Sequence, residues 1–248
     1  MERSTSSTLG SSTHDRPVAV VTGASQGLGL ELALGLARDG WALVIDARRA
    51  DRLAGAVERL APLTDVRAVA GDITDAEHRA SLARAAAELG AVHLVVNNAS
   101  TLGASPLPAL SEIDPEILRR VFDVNVVAPL ALIQALDGRL VRGATVVNIT
   151  SDAAVEPYEM WGGYGASKAA LEHASRVLAV ERPDLRVLVV DPGDMRTEMH
   201  QDAFPGEDIS DRPEPSASVP GVLTLVDSDE PSGRYEARAV RVPESRTA

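Results

Sequence analysis

A short apolar run, Val18-Ala-Val-Val21, passes directly into Thr22-Gly23-Ala-Ser25-Gln26-Gly27-Leu28-Gly29, and helical periodicity begins at once. No other feature restricts the fold as tightly. Four mostly β-branched residues closed by a turn signal read as a buried strand. Leu30, Ala33, Leu34 and Ala37 then recur at i, i+3, i+4 and i+7, the stripe of an amphipathic helix. Glycine lets a ligand approach the main chain. The helix N-terminus behind it offers free N–H groups and a positive dipole end, a seat for phosphate. Three glycines alone would mark any tight turn. The strand before and the helix after make pyrophosphate binding the stronger reading.

The alternation continues down the chain. Apolar runs at 41–45, 66–70, 92–96, 144–149 and 185–190 predict strands, and 50–60, 75–89, 115–140 and 164–180 read as helices. Gly40 and Gly90 stand where two helices should end, and Pro129 should kink the 115–140 segment. Residues 233–242 offer a last strand. This order predicts an α/β chain: a single doubly wound parallel sheet of the Rossmann type, with helices on both faces. One domain over 16–243 is expected, without internal repeats. Residues 1–15 are Ser/Thr-rich and read as a disordered tail rather than a secretory signal. Residues 201–220 are rich in Pro, Ser and acids with little periodicity, so 198–220 is expected to form a substrate lid.

Composition closes off several functions. A formal net charge of −12 and a pI near 4.9 repel phosphate backbones, so no nucleic-acid partner is expected. The absence of cysteine excludes disulfides and thiolate nucleophiles. The five histidines (His14, His78, His93, His173, His200) lack metal-ligand spacing, so no metal is expected. No apolar run of about 18 residues is evident, so no transmembrane helix or membrane association is expected, and a cytoplasmic location is the default.

The chemistry gathers around Ser151 and Tyr164-Gly-Ala-Ser-Lys168. Ser151 follows Val146-Val-Asn-Ile-Thr150; a polar residue at the carboxyl end of a central parallel strand faces the ligand crevice. Tyr164 and Lys168, one helical turn apart, share a face. A phenol titrates near 10, too high for proton transfer at neutral pH, and a neighbouring ammonium lowers that value. Ser151 would hold the substrate oxygen as charge develops there. Tyr158 competes poorly, because Gly162 occupies its fourth following position. Thr150 should face away from the crevice. Trp161 and Met160 could line a pocket or simply pack, as could Met195, Met199 and Phe204. His93 reads as a buried, satisfied strand residue, and His200 as a possible substrate contact.

The combination TGxxxGxG, Ser, Tyr-x-x-x-Lys resembles the classical type of the short-chain dehydrogenase/reductase family over about residues 17–200. The resemblance implies an oxidoreductase that interconverts a carbonyl and an alcohol by hydride transfer, with Tyr164 as acid/base, Ser151 holding the substrate oxygen and Lys168 also bonding the nicotinamide ribose. Asn125 matches the helix asparagine that supports a water chain to Lys168. The implied cofactor set is Thr22, Gly23, Ser25, Gln26, Gly27, Leu28, Gly29, Arg48, Asp72, Ile73, Asn98, Ala99, Tyr164, Lys168, Pro192, Gly193 and Thr197. Asn97-Asn98-Ala99-Ser100 departs from the family's NNAG at Ser100, a small change expected to adjust the site rather than abolish it. A small-molecule substrate and a homodimer or homotetramer through segments 115–140 and 164–180 are implied.

The end of the second strand bears on NADP against NAD. An acid there bonds a ribose 2′-hydroxyl, and an arginine accommodates a 2′-phosphate. The chain reads Ile45-Asp46-Ala47-Arg48-Arg49. By resemblance the NAD-selecting position falls on Ala47, and alternation turns Asp46 to the other face. NADP is therefore the expected cofactor and NAD the alternative. A dinucleotide-binding sensor without turnover is the competing function; it would be expected to have lost Ser151, Tyr164 or Lys168.

Overall fold

The computed structural model describes residues 16–246, so the proposed N-terminal tail lies outside the described residues. Seven strands form one sheet in the order β3-β2-β1-β4-β5-β6-β7, every adjacent pair parallel. They are β1 (Val18–Val21), β2 (Ala42–Ala47), β3 (Val66–Ala70), β4 (Val92–Asn97), β5 (Leu140–Ile149), β6 (Arg186–Asp191) and β7 (Gly233–Glu236). The helices are α1 (Gly27–Arg38), α2 (Ala50–Leu60), α3 (Ala76–Leu89), α4 (Pro115–Phe122), α5 (Ala128–Leu136), α6 (Gly162–Glu181), α7 (Glu198–Ala203) and α8 (Val219–Asp227).

Alternation along buried strands builds two cores. Ala19, Val21, Leu43 and Ile45 face α1, α2 and α8, whereas Val18, Val20, Ala42 and Val44 face α3 and α5. Strand order reverses between β1 and β4, and the crevice beyond their carboxyl ends is where such sheets bind ligands.

Several details differ from the sequence reading. The 115–140 segment is α4, a π-helical turn at Asp123–Val127, then α5; β5 already begins at Leu140. Pro129 sits in the first turn of α5. It has no N–H for the Asn125 carbonyl four residues back, so the irregularity falls before the proline. The stretch Pro115–Arg139 is long and apolar enough to cross a membrane by length and composition alone, and 44% of its most apolar window is buried within the fold. It packs on α3 and α6.

The 201–220 segment is more ordered than its composition suggested. Thr197 caps α7 through the His200 amide at 3.1 Å, and α8 starts at Val219 with Pro220 in its first turn. Gly221 obscures that helix in the sequence, yet a Cβ there would lie 1.9 Å from the Ala237 carbonyl. The last strand stops at Glu236 rather than near 242. His93 is half-buried rather than enclosed and falls where β4 slips register against both β1 and β5. At this bulge His93 Nδ1 lies 2.9 Å from the Ala91 carbonyl oxygen and 3.4 Å from the Val18 amide nitrogen; protonated it donates to the first, unprotonated it accepts from the second.

Candidate active site

A single cleft of about 1550 Å³ runs along the carboxyl ends of β1, β2, β4, β5 and β6. Its floor at one end is the glycine loop. Gly29 admits no side chain: a Cβ would meet the Gly23 carbonyl and the Asn98 amide nitrogen at 2.4 Å. Asn98 Nδ2 donates to the carbonyls of Thr22 (2.9 Å) and Gly23 (3.2 Å), and its own amide donates to Thr22 Oγ1 at 3.0 Å. The Ala99 amide reaches the same hydroxyl at 3.0 Å. Thr22 and Asn98 thus brace the loop across the switch point between β1 and β4. Leu28 is buried in the core, leaving only its backbone for a ligand.

Asp46 is placed differently from the sequence reading. It is buried, accepts the Gly23 amide at 2.7 Å and bonds His78 Nε2 at 2.9 Å. Ala24 donates to its carbonyl at 2.9 Å. Its carboxylate is turned toward the glycine loop, where it acts as a brace. Ala47 and Arg48 line the cleft beside it. Arg48 is exposed and has no ion-pair or hydrogen-bond partner among the described residues, whereas Arg49 pairs with Asp51. Gln26 is bonded to Arg52 and Glu198, bridging the loop to α7. Asp72 accepts from the Thr74 amide (2.9 Å) and hydroxyl (2.8 Å) and from Arg120. Burial pushes its carboxyl up, but these bonds outweigh it and hold the value at about 2. Ile73 is buried next to it.

At the other end of the cleft stand Ser151, Tyr164 and Lys168. Ser151 leaves β5 and α6 carries the other two. Lys168 Nζ donates to the Ile149 carbonyl at 2.8 Å and lies 5.5 Å from the centre of the Tyr164 ring. Burial lowers the Lys168 ammonium from 10.5 to about 8. Burial also pushes the Tyr164 phenol well above its ordinary value; hydrogen bonds with Ser100 and Ser151 pull the other way without prevailing, and Asp191 and Asp152 add to the rise. Burial, not the Lys168 ammonium, governs the phenol here, contrary to the lowering expected from the sequence. Ser151 Oγ donates to Asp152 Oδ1 at 2.9 Å.

Asn125, on the π turn, spends its amide on Thr101 and Ser167 as donor and on Ser100 and Thr101 as acceptor. It ties the loop after β4 to α6 one residue before Lys168. Ser100, set aside in the sequence as a minor change, bonds both Asn125 (3.1 Å) and the catalytic-candidate tyrosine. Thr150 faces away, bonding Glu172 at 2.8 Å. Gly193 is held by Asp191 at 2.9 Å, and the Pro192 carbonyl by Ser218 at 2.7 Å. Ser25, Gly27, Pro192, Gly193 and Thr197 all line the same cleft. So do Trp161, for which packing was an equal reading, Met195, Met199 and Phe204, which read more readily as core, and His200.

A family model described as short chain dehydrogenase matches residues 17–208. The chain belongs to this family. Among its relatives, sepiapterin reductase of Xenopus laevis is 36% identical over 198 residues, covering 74% of this chain and 75% of that protein. L-xylulose reductase of Caenorhabditis elegans is 33% identical over 196 residues, 76% of each. The solved alcohol dehydrogenase of the archaeon Thermococcus sibiricus, complexed with 5-hydroxy-NADP, superposes with a TM-score of 0.81 at 28% identity, over 93% of this chain and all of that one. This short-chain dehydrogenase is an NAD(P)-dependent oxidoreductase acting on CH–OH and C=O groups.

Proposed function

We propose that the protein is an NADP(H)-dependent carbonyl reductase in which Tyr164 delivers the proton. The observation that carries the reading is a buried Tyr164 flanked by Ser151 and Lys168 at one end of a cleft whose other end is a braced glycine loop. A neutral phenol is the state required of a proton donor. The cradle at Gly23 and Gly29 and the unpartnered Arg48 fit a dinucleotide with a 2′-phosphate. That cofactor, when bound, supplies the hydride to the carbonyl carbon. Tyr164 gives its O–H proton to the carbonyl oxygen, and Ser151 orients that oxygen. Lys168 keeps a positive charge beside the phenolate left behind. The net change is one carbonyl, one hydride and one proton to one alcohol. Asn125 holds Ser167, and through it the register of α6 under Lys168.

The relatives support this reading: one is a reductase of sepiapterin, another of L-xylulose, and a solved neighbour carries an NADP derivative. The sensor alternative gains no observation of its own. Exposed Val127, Val177 and Val180 along the π turn and α6 support a homodimer or homotetramer through that face. The deciding experiment is consumption of NADPH and of NADH with small ketones and aldehydes by wild type and Tyr164→Phe. NADPH-selective turnover lost in the variant supports the proposal, and undiminished turnover in Tyr164→Phe overturns it.

A further inference from the structure

Aromatic residues are scarce, two Trp, three Tyr and two Phe in 248 residues, yet four of the seven line this one cleft: Tyr158, Trp161, Tyr164 and Phe204. They form a ladder. Trp161 meets Tyr164 edge-on at 5.7 Å between ring centres and Phe204 at 5.9 Å, and His200 continues the row 5.0 Å beyond Phe204. Met160, directly before Trp161, is the one non-glycine residue with positive φ (71°) among the described residues. Such a backbone is costly for a Met and persists where its surroundings hold it. It fixes the entry of Trp161 into α6.

Near Tyr164 the cleft is lined, beside the buried Lys168, by three acids, Asp152, Glu159 and Asp202, that have no cationic partner among the described residues. Asp152 also holds the Ser151 proton at 2.9 Å and the Tyr158 hydroxyl at 2.9 Å. While Asp152 takes the Ser151 hydrogen, Ser151 cannot donate it to a substrate oxygen.

Resting on the carbonyl-reductase reading, we propose that the substrate is a flat aromatic carbonyl compound with an amine or N–H group beside the reacting carbonyl. The ring stacks against Trp161 and Phe204. The N–H group replaces Ser151 as the donor to Asp152, which releases the Ser151 hydroxyl to donate to the carbonyl oxygen. A substrate carboxylate in that place meets the Asp152 carboxylate and is repelled.

The test compares α-aminoacetophenone with its neutral isostere propiophenone, with the anion phenylglyoxylate, and with the aliphatic 1-aminopropan-2-one, using diacetyl as a small reference substrate. Wild type should favour α-aminoacetophenone in kcat/KM and use phenylglyoxylate least. In Asp152→Asn the ratio of α-aminoacetophenone to propiophenone should fall about tenfold, a loss expected when one partly exposed charge contact is removed. The variant keeps the ammonium's intrinsic activation of the carbonyl, so the change in ratio reads the contact alone. Trp161→Leu should raise KM for the two aryl ketones and leave that for 1-aminopropan-2-one nearly unchanged. An unaltered ratio in Asp152→Asn, or phenylglyoxylate used as well as the amine, overturns the substrate assignment while diacetyl turnover leaves the reductase reading standing. Where no probe is turned over, calorimetric binding of α-aminoacetophenone to the NADP-loaded protein decides. Binding weakened by Asp152→Asn upholds recognition of the amine by Asp152 but sinks the reductase reading, and with it the bound molecule's assignment as substrate; absence of binding overturns the recognition as well.

Discussion

The Asp46 carboxylate accepts the amide of Gly23 at 2.7 Å, tying the end of β2 to the first glycine of the phosphate loop. Its second oxygen is bonded to His78 Nε2, so one buried acid aligns the loop and anchors α3. Replacing it by alanine leaves two buried donors without an acceptor, at about 1–3 kcal/mol each. Asp46→Ala should lower the unfolding temperature by about 5–10 °C and weaken dinucleotide binding, while Asp46→Asn should do less of both. Thermal unfolding with and without NADP is the measurement, and wild-type stability in Asp46→Ala would refute the brace.

The unpartnered Arg48 bears on cofactor choice. Arg48→Ala should reduce affinity for NADPH by about 10- to 100-fold and leave NADH nearly unchanged, because a charge-assisted contact to the 2′-phosphate is lost. Fluorescence titration with both cofactors reads the difference; equal loss for the two would assign Arg48 to a surface role.

Lys168 carries a cost that its function explains. Its ammonium falls from 10.5 to about 8 on burial, a penalty of up to about 3 kcal/mol below pH 8. Between 8 and 10.5 the folded protein has released this proton and the unfolded chain retains it, so the Lys168 contribution to stability rises with pH across that window. Lys168→Met should unfold at a higher temperature at pH 7, lose turnover, and show a flatter dependence of stability on pH from 8 to 10.5. Parallel pH profiles for the two proteins would contradict the buried charge.

Tyr164→Phe removes the proton donor and keeps the ring that packs on Trp161. Turnover should drop by about 10²–10⁴-fold, the range of general acid catalysis, with cofactor affinity preserved. A loss of cofactor binding of the same size would point to a structural part instead.

Local patterning made much of this molecule legible. The strand, glycine turn and helix at 18–38 appear as read, because each depends on residues within one window. Ser151, Tyr164 and Lys168 could be singled out because a strand end and a helix face have fixed periods. Asn125 was named but not its bonds to Ser100, Thr101 and Ser167, since these span 25, 24 and 42 positions. Helix α8 was hidden by Pro220 and Gly221, which weaken helical propensity until packing against Ala237 requires the glycine.

The sequence by itself determined the doubly wound sheet, the phosphate loop and the Tyr-Lys face, because periodicity and turn chemistry act over a few residues. Only the tertiary structure decided that Asp46 braces the loop, that burial raises the Tyr164 phenol, and that Trp161 and Phe204 pack beside it. Those outcomes depend on the company a side chain meets once strands 23 to 75 positions apart are brought together, and no local pattern encodes that company.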